Sequence, residues 1–102
     1  MISQTYDFDA DALYIELAEP KAARTVQVDN GTLVDLDADG QVVGIEVIQP
    51  QRTWPLREIL DRFAVPAATA AELCAYFREP AQFHAPEHPD PRVSVAVGQR
   101  AA

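Results

Sequence analysis

Residues 32–48 read TLVDLDADGQVVGIEVI, and this stretch determines the architecture because an acidic turn joins two apolar, strand-like segments. Its acids and glycine also fit the loop of an EF-hand calcium site, with Asp35, Asp37, Asp39, Gly40 and Glu46 at the matching positions. An EF-hand needs a helix on each side of the loop, whereas both flanks here are rich in β-branched residues. We therefore predict a β-hairpin, with calcium binding by Asp35, Asp37, Asp39 and Glu46 as the alternative.

Register determines which side chains share a face of this hairpin, since directly opposed residues point to the same side. A two-residue type I′ turn at Asp39-Gly40 pairs three sets of residues on one largely apolar face: Leu36 with Val43, Val34 with Ile45, and Thr32 with Val47. The same register pairs Leu33 with Glu46 and Asp35 with Gly44. It therefore places Asp35, Asp37 and Glu46 on the opposite, outer face.

The preceding connection, Asp29-Asn30-Gly31, predicts a further strand before the hairpin. A three-residue loop with Gly31 in the left-handed conformation pairs Val28 with Thr32 and Val26 with Val34. This loop is preferred to a two-residue turn because it keeps all three strands on one inner face.

Two more strands are predicted near the amino terminus. Residues 12–17 alternate strictly, with Leu13, Ile15 and Leu17 inward and Tyr14 and Glu16 outward. Residues 2–6 form a weaker strand, joined to it by an acidic connection. Together the segments predict an antiparallel β-meander of about five strands over residues 1–50.

Three motifs within these strands resemble a known family. They are Tyr6-Asp7-x-x-Ala10-Asp11-Ala12-Leu13-Tyr14-Ile15, Val34-Asp35-Leu36-Asp37-x-x-Gly40 and Val42-Val43-Gly44-Ile45-Glu46-Val47. Together they are similar to the domain of unknown function 2283 family of small prokaryotic proteins, over about residues 2–50. The resemblance implies a small β-sheet module and supplies no catalytic residues, and relatives encoded beside small toxin-like proteins imply an antitoxin role. Gln4 departs from the family, which usually has an apolar residue there.

Residues 51–80 predict two helices. The first carries Leu56, Ile59, Leu60 and Phe63 on one face and ends before Pro66. The second starts at a capping box, Thr69-Ala70-Ala71-Glu72, ends near Pro80, and has an apolar stripe of Ala70, Leu73, Cys74 and Phe77. Both apolar stripes need a partner, so the helical hairpin is expected to cover the inner face of the sheet. Trp54 is expected to pack the first helix onto that face.

The whole chain, residues 1–102, is predicted to be a single α+β domain. Residues 81–102 form a proline-rich tail in which Val93, Val95 and Val97 alternate with small residues, as in an edge strand over residues 92–97. We expect this tail to be ordered. It would lie along the sheet edge, over the outer face, or on a second copy of the chain as a swapped segment.

Composition restricts the classes of partner. The formal net charge of −8 argues against direct nucleic-acid binding, which needs basic residues on phosphate. Such acidity fits a solvated surface best, and electrostatic attraction of a basic protein partner is the alternative. The sequence shows neither a signal-peptide pattern nor a run long enough to cross a bilayer, so we expect a cytoplasmic protein without membrane contact. The single cysteine, Cys74, is expected to be a buried structural thiol.

The sequence shows no recognisable catalytic constellation, and no cofactor is expected. It has no glycine-rich phosphate loop, CxxC pair or nucleophile-elbow serine. His84 and His88 have the spacing of two metal ligands on one helical face, but Pro86 and Pro89 prevent a regular helix there. We therefore expect a protein that is not an enzyme.

Two functions remain. The first is a non-catalytic interaction module, homodimeric, that binds itself or a basic protein through its outer sheet face or its tail. The expected contact residues mix apolar and acidic side chains, a surface that a monomer would not normally leave bare: Tyr14, Glu16, Leu33, Asp35, Val42, Glu46 and Ile48. The second is a small calcium-binding protein that uses the acidic loop.

Overall fold

The computed structural model describes residues 2–19, 21–77 and the backbone of residues 94–97. The elements in chain order are β1 Ser3–Asp7, β2 Ala12–Glu16, β3 Arg24–Asp29, β4 Thr32–Leu36, β5 Val42–Ile48, α1 Leu56–Arg62, α2 Ala67–Phe77 and β6 Ser94–Val97. The predicted α+β architecture, an antiparallel sheet followed by two helices, is confirmed. Neither described helix is long and apolar enough to cross a bilayer.

The strand order in the sheet is β3-β4-β5-β2-β1-β6, which differs from the order of a simple meander. β2 pairs with β1 on one side and with β5 on the other, so the chain passes from β2 to the edge strand β3 without pairing. Burial explains this order, because Leu13 and Ile15 on β2 are fully buried whereas β3 is largely exposed. Apolar alternation reports which face of a strand is buried, and not which strands are neighbours.

The turn of the β4–β5 hairpin has three residues rather than the predicted two. Asp37 N–H donates to the Gln41 carbonyl (2.9 Å), and Gly40 N–H donates to the Asp37 carbonyl (3.0 Å). Gly40 has a φ of 82°, a left-handed conformation that glycine adopts without steric cost. A type I′ turn would also need a positive φ at Asp39, which is not found. The predicted type I′ turn is therefore wrong.

A β-bulge beside this turn restores the predicted register along the rest of the hairpin. The predicted pairs beyond the bulge are all present: Thr32 with Val47, Leu33 with Glu46, Val34 with Ile45 and Asp35 with Gly44. At the bulge, Leu36 lies opposite Val42 instead of Val43, because the extra residue shifts the alternation by one position. Val42 therefore belongs to the buried core, and its predicted place on the outer face is wrong.

A second bulge changes the connection between β3 and β4. Val26 lies opposite Val34, as predicted. Asp29 rather than Val28 lies opposite Thr32, because the bulge displaces Val28 from the ladder. The loop therefore contains only two residues, and its glycine does not have the predicted left-handed conformation.

The helical layer covers the inner face of the sheet, as predicted. It contributes a group of buried side chains to the same cluster as the inward-facing strand residues: Trp54, Leu56, Ile59, Leu73 and Phe77. The Trp54 and Phe77 rings meet edge to face, with centroids 5.1 Å apart, an arrangement that aromatic pairs favour. The prediction that Trp54 packs the first helix onto the sheet is confirmed by its place in the core with Leu56 and Ile59, and Trp54 also contacts the second helix through Phe77.

Helix α2 begins earlier than its sequence predicts. Ala70 N–H donates to the Pro66 carbonyl (2.9 Å), so Thr69 lies inside the helix and the predicted capping box is wrong. The Glu72 carboxylate instead accepts a hydrogen bond from Ile2 N–H (3.3 Å), which ties the start of the chain to the helical layer. Cys74 lies one position around the helix from the buried stripe and is only partly buried, so the expected buried thiol is also wrong.

The carboxyl-terminal strand lies at the edge of the sheet. β6 pairs antiparallel with β1, and Val97 lies opposite Gln4. The predicted edge strand within residues 92–97 is therefore present over Ser94–Val97.

Candidate functional site on the outer sheet face

The outer face is the side of the sheet opposite the helices, and its side chains come from β1–β5. They lie in rows across the strands: Thr25, Asp35, Gly44, Glu16 and Ser3; Gln27, Leu33, Glu46, Tyr14 and Thr5; and Ile48, Ala12 and Asp7. Six of the seven predicted contact residues therefore lie together on this face: Tyr14, Glu16, Leu33, Asp35, Glu46 and Ile48. The exception, Val42, lies in the core.

One hydrogen-bonded group organises the first row of this face. The Tyr14 hydroxyl donates to Asp35 Oδ2 (2.9 Å), and the Thr25 hydroxyl donates to Asp35 Oδ1 (2.6 Å). The phenol ring reaches Asp35 by lying across Gly44 on the strand between them, and a Cβ atom at Gly44 would collide with it. Glycine at this position is therefore a packing requirement of Tyr14.

The surroundings of Tyr14 hold its phenol in the protonated form. Burial raises the pKa of Tyr14 well above its ordinary value, and the hydrogen bond to the Asp35 carboxylate raises it further. At neutral pH the phenol is therefore a hydrogen-bond donor that fixes Asp35, and both carboxylate oxygens of Asp35 have partners.

Glu46 occupies the centre of the outer face, and its environment differs from that of Asp35. Leu33 and Tyr14 lie directly opposite it on the two neighbouring strands, and Ile48 follows on the same side of β5. The Glu46 side chain is partly buried and makes no hydrogen bond or ion pair with any described residue. No outward-facing position of β1–β5 carries Lys or Arg, so this carboxylate lacks a cationic neighbour on its own face.

The four predicted calcium ligands do not lie together, because two are on the outer face and two are in the β4–β5 turn. Asp35 and Glu46 lie on the outer face, while Asp37 Oδ1 accepts hydrogen bonds from the N–H groups of Asp39 and Gln41 (both 2.9 Å). Asp37 therefore caps the turn, as aspartate often does. Across the described part of the chain, no group of three or more His, Cys, Asp or Glu side chains is placed to hold a metal ion.

Arg52 forms a second polar cluster, which the sequence did not predict. Its guanidinium donates to the Thr32 hydroxyl (2.9 Å) and the Ile48 carbonyl (3.1 Å), and it pairs with Asp29 (3.4 Å). These contacts fasten the β3–β4 turn to the end of β5, above an open cavity of about 460 Å³. No local signal reveals them, because the partners join distant parts of the chain through tertiary packing.

The first family-like motif also has a structural role. The Tyr6 hydroxyl donates to Asp11 Oδ1 across the β1–β2 connection. Asp7 Oδ1 accepts from the N–H groups of Asp9 (2.9 Å) and Ala10 (3.2 Å). Asp11 has a φ of 50°, an uncommon conformation for a residue other than glycine. The motif therefore builds a specific turn between the first two strands.

The predicted end of the second helix at Pro80 lies outside the described residues. The same holds for His84 and His88. The prediction about metal binding by these two histidines therefore rests on the sequence alone.

Comparison with known proteins agrees with the strand motifs. Residues 4–49, from β1 to the end of β5, match the family model described as Protein of unknown function (DUF2283). No curated protein and no solved structure matches the chain. The matched segment includes the Tyr6–Asp11 and Tyr14–Asp35 hydrogen bonds and Gly44, so its motifs coincide with the contacts that shape the sheet. Over residues 4–49, which carry strands β1–β5, this chain is similar to the DUF2283 family.

Proposed function

We propose that this protein is an acidic, non-catalytic interaction module whose outer face binds a basic segment of another protein. The observation that carries the proposal is the Glu46 side chain, which is partly buried at the centre of the outer face and has no hydrogen-bonding or ionic partner among the described residues. A cation that arrives with a partner would form a charge-assisted hydrogen bond with this carboxylate.

The neighbours of Glu46 favour an arginine in that partner. A guanidinium donates two parallel hydrogen bonds to a carboxylate, and it also stacks on aromatic rings. Tyr14 offers such a ring on one side of Glu46, while Leu33 and Ile48 offer apolar contacts around it. This combination of one central charge with an apolar surround is typical of the residues that dominate binding energy at interfaces.

Charge also determines which partner this face disfavours. Glu16, Asp35 and Glu46 share the outer face, and no outward-facing position of β1–β5 is basic, so two copies packed through this face would bring like charges together. Such contacts cost several kcal/mol. A homodimer, if the chain forms one, is therefore expected to use a different surface.

The non-catalytic assignment draws support from how the polar groups are used. Tyr14, Thr25 and Asp35 are committed to one another, and Asp37 is committed to the hairpin turn. Their hydrogen bonds hold the backbone and the face in shape, which is a structural role. The antitoxin role implied by the family resemblance would be one instance of binding to a basic protein.

Affinity purification from the native host tests this function directly. Wild-type protein, Glu46→Gln and the matched control Glu58→Gln would serve as baits, because both variants remove one carboxylate and Glu58 lies on the exposed side of α1. We expect a reproducible basic protein with wild type and the control, and its loss with Glu46→Gln. Equal recovery of that protein by all three baits would rule out the outer face as its binding site.

Calcium binding by Asp35, Asp37, Asp39 and Glu46 is the alternative proposal. Its support is the EF-hand-like spacing of the acids in the sequence. The structure adds no further support, because three of their carboxylate oxygens already accept hydrogen bonds from the protein. Calorimetric titration with calcium separates the two functions. Heat at millimolar calcium that disappears in Asp39→Asn would favour the metal site, and no heat at that concentration would remove it.

A further inference from the structure

The sheet has two edge strands, β6 and β3. β6 pairs with β1 on its inner flank. Among the described residues β3 pairs only with β4, and it is the most exposed of strands β1–β5. An uncovered edge strand presents unpaired N–H and C=O groups, and it can therefore accept a further strand.

The bulge at Val28 gives this edge a symmetric pattern. Arg24, Val26 and Asp29 lie opposite Leu36, Val34 and Thr32, so all three belong to the inner side of the sheet. Without the bulge, strict alternation would place Val28 on the inner side and Asp29 on the outer side. The inner side of β3 therefore carries a positive residue at one end, Arg24, an apolar residue at the centre, Val26, and a negative residue at the other end, Asp29.

We infer that β3 is a homodimerisation edge, at which two copies of this chain pair antiparallel around a two-fold axis through Val26. In that arrangement Val26 faces Val26 of the second copy, and Arg24 faces Asp29 of the second copy. On the outer side Thr25 faces Gln27 of the second copy. The two sheets join into one, and each contact occurs twice, as a two-fold interface requires.

The charged side chains at both ends of β3 reach solvent. Arg24 is exposed and makes no ion pair with any described residue. The Asp29 side chain is 40% exposed even though it pairs with Arg52. The residues facing each other on the outer side, Thr25 and Gln27, are uncharged, so no like charges meet. This edge is thus self-complementary, in contrast to the acidic outer face.

The edge also predicts how strong the dimer is. A ladder of five or six residues with one central valine pair buries less surface than a standard protein–protein interface. The dimer should therefore form at high micromolar concentration and dissociate on dilution. The inner-side residues Arg24, Val26 and Asp29 do not lie on the outer face, so the Glu46 variants and the Arg24 variant test the two proposals independently.

Cysteine cross-linking tests the register in the full chain, with Cys74→Ala as background so that each variant has a single thiol. Directly opposed residues of antiparallel strands have Cα atoms about 4.5–5.5 Å apart, which suits a disulfide. Under mild oxidation we expect Val26→Cys to form a covalent dimer by itself. Thr25→Cys and Gln27→Cys should cross-link efficiently only when the two variants are mixed. Equal cross-linking by each of the three variants alone, or none by Val26→Cys, would overturn the inference.

Sedimentation equilibrium gives an independent measurement without engineered thiols. Arg24→Glu would place two carboxylates opposite each other at both ends of the ladder, and we expect it to abolish the concentration-dependent dimer. Arg57→Glu, on the exposed side of α1, makes the same charge change away from the edge and should leave the dimer intact. A strictly monomeric wild type at high micromolar concentration, or a dimer that Arg24→Glu does not weaken, would contradict the β3 edge.

Discussion

Tyr14 on β2 donates its phenolic hydrogen bond to Asp35 on β4, although β5 lies between the two strands. The contact is possible because Gly44 has no side chain under the ring. The glycine at position 44 thus allows a hydrogen bond that spans three strands. The bond fixes the aromatic ring beside Glu46, where the proposed partner would bind.

Gly44→Ala should destabilise the protein. The new methyl group would collide with the Tyr14 ring, and overpacking of this kind costs about 1–3 kcal/mol. Urea unfolding followed by Trp54 fluorescence measures the change. A double-mutant cycle with Tyr14→Ala supplies the control, because removal of the ring should restore part of the loss. Strict additivity of the two substitutions would show that the ring does not lie over Gly44.

Alkaline pH should reduce stability through Tyr6. Burial and the hydrogen bond to Asp11 raise the pKa of Tyr6 to about 12, while an unfolded tyrosine ionises near pH 10, at about its ordinary value. The stabilising effect is therefore complete below about pH 10 and declines as the pH rises toward about 12. Denaturant unfolding across this range, compared with Tyr6→Phe, measures it. An equal decline in the variant would assign the effect to other groups.

Arg52→Ala should loosen the β3–β4 turn. The substitution removes hydrogen bonds to Thr32 and Ile48 and the ion pair with Asp29. Because the site is partly exposed, we expect a loss of about 1–2 kcal/mol in the free energy of unfolding. Arg52→Lys should recover little of it, since an ammonium group cannot form the same forked contacts. Full recovery with lysine would show that charge alone matters at this position.

The same cluster predicts a dependence on acid. Partial burial opposes ionisation of Asp29, but hydrogen bonds from Gly31 and Thr32 and the charge of Arg52 outweigh it, so the pKa of Asp29 lies below its ordinary value. Its stabilisation is therefore present above about pH 4, the region of an ordinary aspartate, and is lost as the pH falls through the lowered value. Acid unfolding of Asp29→Asn should show a shallower slope than wild type in this range.

Gln4→Leu should stabilise the chain. Gln4 faces inward opposite Ile15 and is only 3% exposed, and its Nε2 has no hydrogen-bond partner among the described residues. An unsatisfied buried donor costs about 1–3 kcal/mol, so an apolar residue of similar size should raise the free energy of unfolding by about 1 kcal/mol. Thr5→Leu, on the exposed side of β1, is the matched control and should have little effect. Destabilisation by Gln4→Leu would mean that the amide is satisfied in solution.

The faces of the strands could be predicted from sequence because burial imposes a period of two on apolar residues. Val34, Ile45 and Val47 follow that period and lie in the core. The two bulges could not be predicted in this way, since each inserts a single residue beside a turn whose form depends on tertiary packing. For this reason the predicted outer-face position of Val42 is wrong, and so is the predicted loop position of Asp29, which ends β3.

The candidate site was predicted more completely than the contacts that support it. Most of its residues follow from alternation alone, including Tyr14, Glu46 and Ile48. Alternation gave no information on the position of β2 beside β5, which brings Tyr14 next to Glu46. Arg52 was not predicted at all, because its partners lie on β3, β4 and β5 and no periodic pattern connects them.

The insertion of β2 between β1 and β5 has a consequence for the order in which the chain folds. β1–β2 and β3–β5 are each joined by short connections, so each can form from local contacts, whereas the β2–β5 ladder joins residues far apart in sequence. Pairings of this kind carry a larger loop-closure entropy and form later. During synthesis the β1–β2 hairpin must therefore wait, with one edge of β2 open, until Ile48 has left the ribosome and β5 can dock.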